Sequence, residues 1–275
     1  MRNIRCILGL LGLCLLGPLL FAVPCSAENP VRLYIFDCGQ GHADDMSRWT
    51  PGINAGTPLD VSGNCYLIRH RKGDLVWDTG VPDAVASMPD GLGGTNGSPS
   101  WKRAKTLASQ LTEIGVKPSD VQFLAVSHSH PDHIGNVELF PQATLLVQGP
   151  EYDWKSPLGG ARFKAEHPVK KLGGDFDVFG DGTVTIISTP GHTPGHQSLM
   201  VKLEKTGAII LSGDAVHFKD NWENRRVPGP NFNKEETLAS MQRIADLMRE
   251  NKAQLWINHD KIQSESLKHS PEFFE

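Results

Sequence analysis

The sequence predicts an α/β protein of layered sheets covered by helices, and three observations predict it. Short apolar runs bounded by Gly, Asp and Asn recur along the chain, the later ones too apolar to leave one face in water. Two amphipathic helices interrupt these runs, so strands buried on both faces are flanked by helices. Ionisable residues stand just past several of the runs, where a sheet rim collects functional loops.

The first 27 residues read as a leader that precedes the folded domain. Arg2 and Arg5 precede an uncharged stretch from Cys6 to Val23, and Cys25-Ser26-Ala27 ends on small residues. This is the pattern of a secretory signal peptide cut after Ala27. The stretch of 18 residues is also just long enough for a short membrane span. Pro18 and its glycines weaken that alternative. The expectation is an exported protein, periplasmic or secreted, with no stable membrane insertion after cleavage. Residues 28–275 then suffice for a single domain with a substantial core.

The strand-like runs are, in order, Val31 to Phe36, Cys65 to Ile68, Leu75 to Trp77, Val121 to Val126, Thr144 to Val147, Val184 to Ile187, Ser198 to Leu203 and Ala208 to Leu211. Between them, Lys102 to Ile114 reads as a helix with Ala104, Leu107, Ala108, Leu111 and Ile114 on one face, stopped by Gly115. A second helix, Lys234 to Glu250, starts behind Asn233 with Glu236 three residues on. It buries Leu238, Met241, Ile244 or Ala245, and Met248. The segment Met88 to Ser100, rich in Gly, Pro and Ser, reads as a mobile loop.

Removing Arg2 and Arg5 takes the 27 basic residues to 25, against 31 acidic ones. That balance excludes nucleic acid as a partner, because phosphate binding needs a concentrated basic surface. Of five cysteines only Cys38 and Cys65 follow the leader. In an oxidising compartment they form a disulfide or stand as two buried thiols, and neither sits in a CxxC that would bind structural zinc.

The stretch SHSHPDHIGN packs three of the chain's 11 histidines and an aspartate into the HxHxDH of His128 to His133. His128 and His130, two apart at the end of a strand, point the same way. Pro131 breaks the strand and opens a helical turn that brings Asp132 and His133 toward the same cavity. One metal would leave a surplus of ligands, whereas two would use them. Further candidates follow other apolar runs: His192 in PGHTPGH, Asp214 after AIILSGD and His259 after AQLWINH. Imidazoles and carboxylates without thiolates favour zinc, with iron, manganese and cobalt open. Two ions about 3.5 to 4 Å apart that share Asp214 and a hydroxide would acidify water and clamp an attacked carbonyl, so the pattern predicts hydrolysis.

The set SHSHPDH, PGHTPGH, SGD and NHD, with the upstream LVWDTG, resembles the metallo-β-lactamase superfamily. The resemblance implies an αββα sandwich of two mixed sheets flanked by helices, with two divalent metal ions at one rim. By position it gives one metal to His128, His130 and His192, the other to Asp132, His133 and His259, with Asp214 bridging. Asp78 of DTG would hold the ligand loop from behind.

An Asp at position 214 resembles thioester hydrolases, lactonases and phosphoesterases of the superfamily rather than its true β-lactamases, and His130 departs from the flavodiiron branch. GHTPGHQSL and the run from SGDAVHF through NWENRRVPGPNF to LASMQRI and NHD resemble N-acyl homoserine lactonases. The implied activity is opening of an N-acyl homoserine lactone ring by a metal-bridging hydroxide, with Asp132, Asp214 and His217 as catalytic candidates. Familiar lactonases of this kind carry Tyr where His217 stands. Imidazole can donate the same hydrogen bond, with a charge that titrates near neutrality. Alternatively, His217 packs against Phe218 and Trp222.

An acyl tail needs an apolar wall, for which Met46, Trp49, the Met88 to Trp101 loop, Phe218 and Trp222 are the candidates. His196 orients its loop, and His42, His70, His167 and His269 receive no role. The expected partner is a small lactone or ester, and a homodimer is compatible with the reading. The enzymatic rivals are a thioester hydrolase of the glyoxalase II type, a phosphotriesterase and a persulfide dioxygenase with one iron. A zinc-binding protein without catalysis is the rival from another class.

Overall fold

The computed structural model describes residues 30–94, 97–155 and 163–275. The leader lies outside the described residues. Among those described, no helix is long and apolar enough to cross a membrane.

The strands are β1 (Arg32–Ala43), β2 (Leu59–His70), β3 (Gly73–Trp77), β4 (Ser100–Lys102), β5 (Phe123–Ala125), β6 (Thr144–Gln148), β7 (Val169–Leu172), β8 (Phe176–Asp177), β9 (Val184–Ser188), β10 (Gln197–Leu203), β11 (Gly207–Leu211) and β12 (Gln254–Trp256). They form a seven-stranded sheet, β4-β1-β2-β3-β5-β6-β7, and a five-stranded sheet, β12-β11-β10-β9-β8. Both sheets are mixed: β3, β5, β6 and β7 run parallel, as do β11 and β12, while the remaining pairs are antiparallel. The helices are α1 (Leu107–Glu113), α2 (Pro131–Ile134), α3 (Gly149–Asp153), α4 (Lys219–Asn224), α5 (Lys234–Asn251) and α6 (Lys261–Ser266).

Strand alternation accounts for the layering. Leu33, Ile35, Ile68, Leu75 and Trp77 face the second sheet, where they meet Val184, Ile186, Leu199, Val201 and Leu211 in the central core. Their neighbours Tyr34, Phe36, Leu67 and Val76 point the other way and pack with Leu107 and Leu111 of α1. On the far face of the second sheet, Ile187, Met200 and Ile210 are covered by Ile244 and Met248 of α5. Helix, sheet, sheet and helix are thus stacked as the resemblance implies.

All eight expected runs lie in or overlap strands. Helix α5 starts as expected, with the Asn233 side chain accepting from Glu236 N–H. The other helix is corrected at its start. Ser100 to Lys102 pairs with His42 to Gln40 as β4, and α1 begins only at Leu107. Two side chains place that start: Thr106 accepts from Ser109 N–H, and Asp83 accepts from Leu107 and Ala108 N–H. Ala104 is therefore exposed and outside the helix. Cys38 and Cys65 form a disulfide between β1 and β2, with Cα atoms 5.8 Å apart.

The consequence for function is a shared rim: strands β3, β5, β6, β9, β11 and β12 deliver their following loops to one end of the sandwich, where the ligand-type side chains cluster.

Candidate metal centre

Strand β5 is followed by Ser127, whose N–H and hydroxyl both donate to Asp78, at 2.6 and 2.9 Å. Asp78 follows β3 directly and has φ of 55°, a left-handed conformation that a non-glycine residue adopts only where its surroundings impose it. Asp78 Oδ2 also accepts from His133 Nδ1 at 3.0 Å. That bond fixes the ring so that His133 Nε2 faces the rim. Pro131 opens α2 with His130 at its N-cap position, and one turn carries Asp132 and His133 back over His128.

Two groups of side chains result. The ligand-type atoms of His128, His130, His192 and Asp214 lie within 4.8 Å of one another, and so do those of Asp132, His133 and His259. His128 Nε2 is 2.9 Å from His130 Nδ1, which is 3.1 Å from His192 Nε2. Asp214 stands between the groups. Its Oδ2 is 3.7 and 3.4 Å from His128 and His192 Nε2, and its Oδ1 is 3.3 and 3.1 Å from His133 and His259 Nε2. All seven expected ligand residues are therefore brought together, in the two sets expected.

Electrostatics make these groups suited to a cation. Burial pushes the His128 and His192 imidazoles well below their ordinary pKa and lowers His130, which leaves neutral rings with free lone pairs. For His133 and His259 burial works in the same direction, but the Asp214 carboxylate overrides it and raises both, helped at His133 by Asp78 and Asp132. Burial alone would raise Asp214, yet His259 and His133 hold it well below the carboxylate range. His133 Nε2 and Asp214 Oδ1 are buried and make no hydrogen bond. Imidazole nitrogens converging on one another and on an orphaned carboxylate oxygen are stable around a cation, and the donor set fits two divalent ions.

His196 stays outside both groups. Burial pushes its pKa down to about 3, its Nδ1 donates to the Thr189 carbonyl at 3.0 Å, and its Nε2 accepts from Asp214 N–H at 2.9 Å. It thus orients the Asp214 loop. His217 Nε2 is 3.1 Å from Asp214 Oδ2, and its ring lies between His192 and His259, with centroids 5.1 and 5.7 Å away. Phe218 instead joins Ala43 and Trp49, and Trp222 packs toward α5. His217 is thus an active-rim residue by position.

A cavity of about 880 Å³ opens over both groups. Trp49, Leu92, Trp101 and Phe218 line it as expected, whereas Met46 and Trp222 do not. Two walls went unread in the sequence, Trp154 after α3 and the exposed Phe232 before α5. Glu151 also went unread, although it obeys the same signal as the ligands, an ionisable residue just past an apolar strand.

A family model described as the Metallo-beta-lactamase superfamily matches residues 59–250. The chain belongs to this superfamily. Within it, the chain is 32% identical over 265 residues to the N-acyl homoserine lactonase AttM of Azorhizobium caulinodans, covering 89% of this chain and 99% of that one. It is 34% identical over 264 residues to the AttM of Rhizobium radiobacter, covering 89% and 98%. Among solved structures it is similar to an N-acyl homoserine lactone hydrolase with the product N-hexanoyl-L-homoserine bound at its catalytic metal center. That match has a TM-score of 0.76 and 28% identity, and covers 88% of this chain and 98% of the other. As a member of the superfamily with two His/Asp groups at its rim, the protein is a metal-dependent hydrolase by fold and site.

Proposed function

We propose that this protein is an exported hydrolase that opens the lactone ring of N-acyl homoserine lactones at a centre of two divalent metal ions. The observation that carries the reading is Asp214, whose two oxygens face the two ligand groups at the floor of a cavity with apolar walls. His128, His130 and His192 would hold one ion, Asp132, His133 and His259 the other, and Asp214 both. Bound there, the ions supply a water acidified at neutral pH and a Lewis acid for the ring carbonyl.

The chain's own residues do the rest. Asp78 holds the His133 ring in one tautomer, and neutral His196 holds the Asp214 backbone. His217, at the cavity wall, is positioned to donate a hydrogen bond to the lactone or its opened form. Trp49, Trp101 and Phe218 with Trp154 and Phe232 offer the surface that an acyl tail would bury. Water adds across the ring ester, and the products are an N-acyl homoserine and one proton. The lactonase names of relatives at about 30% identity over nearly full length support this substrate class.

The test is proton release at constant pH when zinc-loaded protein, lacking residues 1–27, meets N-acyl homoserine lactones of short and long tail. Turnover absent from an Asp214→Ala control is expected. Turnover of thioesters or phosphotriesters but not of lactones would move the substrate class and leave the metal centre. Export is checked separately, by sequencing the amino terminus of protein recovered from outside the cytoplasm; a chain beginning at Glu28 is expected, and one retaining residues 1–27 would sink the cleavage.

A further inference from the structure

The carboxylate of Glu151 is fully buried and is not one of the seven ligands. Its Oε1 accepts from Ser129 N–H at 2.8 Å and from Ser129 Oγ at 2.6 Å, and its Oε2 accepts from Gly195 N–H at 3.1 Å. Ser129 lies between His128 and His130, and Gly195 lies between His192 and His196. One side chain therefore grips both loops that build the first ligand group. At Gly195 the grip depends on contact so close that a Cβ would sit 2.2 Å from Glu151 N.

Burying a carboxylate is costly, and three donors aimed at it offset that cost only in this arrangement. The fold does not need the carboxylate for the same connection. Gln197 Nε2 donates to the Val126 and Leu146 carbonyls at 2.8 and 3.1 Å, and Gln197 N donates to the Ser127 carbonyl at 2.8 Å, so β5, β6 and β10 are already tied. What Glu151 adds is the rotation of Ser129 and Gly195, and with it the direction of the His128, His130 and His192 rings. The Trp154 ring, three residues further on, stands 6.4 Å from that of His130, so the same short helix supports the cavity wall.

We propose that Glu151 is a positioning residue that sets the metal affinity of the His128, His130 and His192 group selectively, by clamping its two loops into one cradle. The proposal rests on the metal reading of that group and is independent of the substrate. Partners behind metal ligands contribute about 10- to 100-fold in affinity.

Cobalt titration, followed by visible absorption, tests it in two backgrounds. In His259→Ala protein, which keeps the clamped group, Glu151→Gln should weaken Co²⁺ binding by about 10- to 100-fold, because an amide N–H₂ would face an N–H donor. In His192→Ala protein, which keeps only the group of Asp132, His133 and His259, the same change should leave the affinity unchanged. Ser129→Ala, which removes the 2.6 Å bond and keeps the backbone donor, should shift the first background in the same direction by less, and serves if the Gln variant fails to fold. Equal weakening in both backgrounds, or none in the first, would overturn the proposal in favour of a purely structural tie. No cobalt uptake by either parent would overturn the metal reading and the proposal with it.

Discussion

Asp78 and Glu151 are buried acids that each follow a strand of the parallel part of the larger sheet and grip the HxHxDH loop, yet they grip it differently. Asp78 touches a ligand-type ring directly, through His133 Nδ1, and takes a left-handed backbone to do so. The Glu151 carboxylate hydrogen-bonds Ser129 and Gly195, neither of them a ligand. The first bonds a ligand ring itself; the second acts through the loops that carry the ligands, and its charge also raises His130 slightly against burial. Asp78 stands directly behind His133 and reaches His128 only through Ser127, Glu151 stands behind the loops of the other half, and Asp214 belongs to both halves.

The largest effect comes from removing what the halves share. Asp214→Ala should cost one metal equivalent, read by elemental analysis, and nearly all turnover. Two retained equivalents would end the idea of a shared carboxylate. Next in size, Asp78→Asn places an amide against Ser127 N–H or His133 Nδ1–H. It should weaken metal binding in the half of Asp132, His133 and His259 by about 10- to 100-fold and lower the melting temperature. Selective loss from the other half would contradict the division of labour.

The two halves also differ in protons. In the metal-free protein the Asp214 carboxylate raises His133 and His259, which keep their protons to higher pH than ordinary imidazoles, while burial lowers His128, His130 and His192. Metal uptake must displace the protons on the raised pair, so zinc added to weakly buffered protein near pH 7 should acidify the solution. The release should shrink as pH rises through the elevated values, since those protons are then already lost. Uptake with no proton release at pH 7 would contradict the assignment.

The smallest effect belongs to His217. His217→Phe removes one hydrogen-bond donor and should leave both metals in place while lowering lactone turnover by up to about tenfold, the worth of one such bond. Unchanged turnover would reduce His217 to packing.

The legible part of the site was the part carried by local pattern. His128, His130, Asp132, His133, His192, Asp214 and His259 each stand just past an apolar run, and strand ends in a layered fold share a rim, so finding the runs found the ligands. Glu151 stands in the same place but lies in a Pro-Glu-Tyr stretch that reads as an ordinary solvated turn. Its burial depends on Gly195, 44 residues away. Trp154 and Phe232 are isolated aromatics in polar surroundings, and only the tertiary fold turns them into walls. In the fold itself, β4 overrode a helical pattern at Lys102 by pairing with β1, and the edge strands β7 and β8 were hidden by their lysines and their shortness. Long-range pairing decided each of these.

Attack of water on the ring carbonyl leaves a mark that no other lactone chemistry at this site would leave. When zinc-loaded protein turns over N-hexanoyl homoserine lactone in heavy-oxygen water, mass spectrometry should find one labelled oxygen in the new carboxylate, formed far faster than with Asp214→Ala protein. Label in the side-chain hydroxyl, or product formed no faster than with that variant, would rule out lactone opening by water at this site.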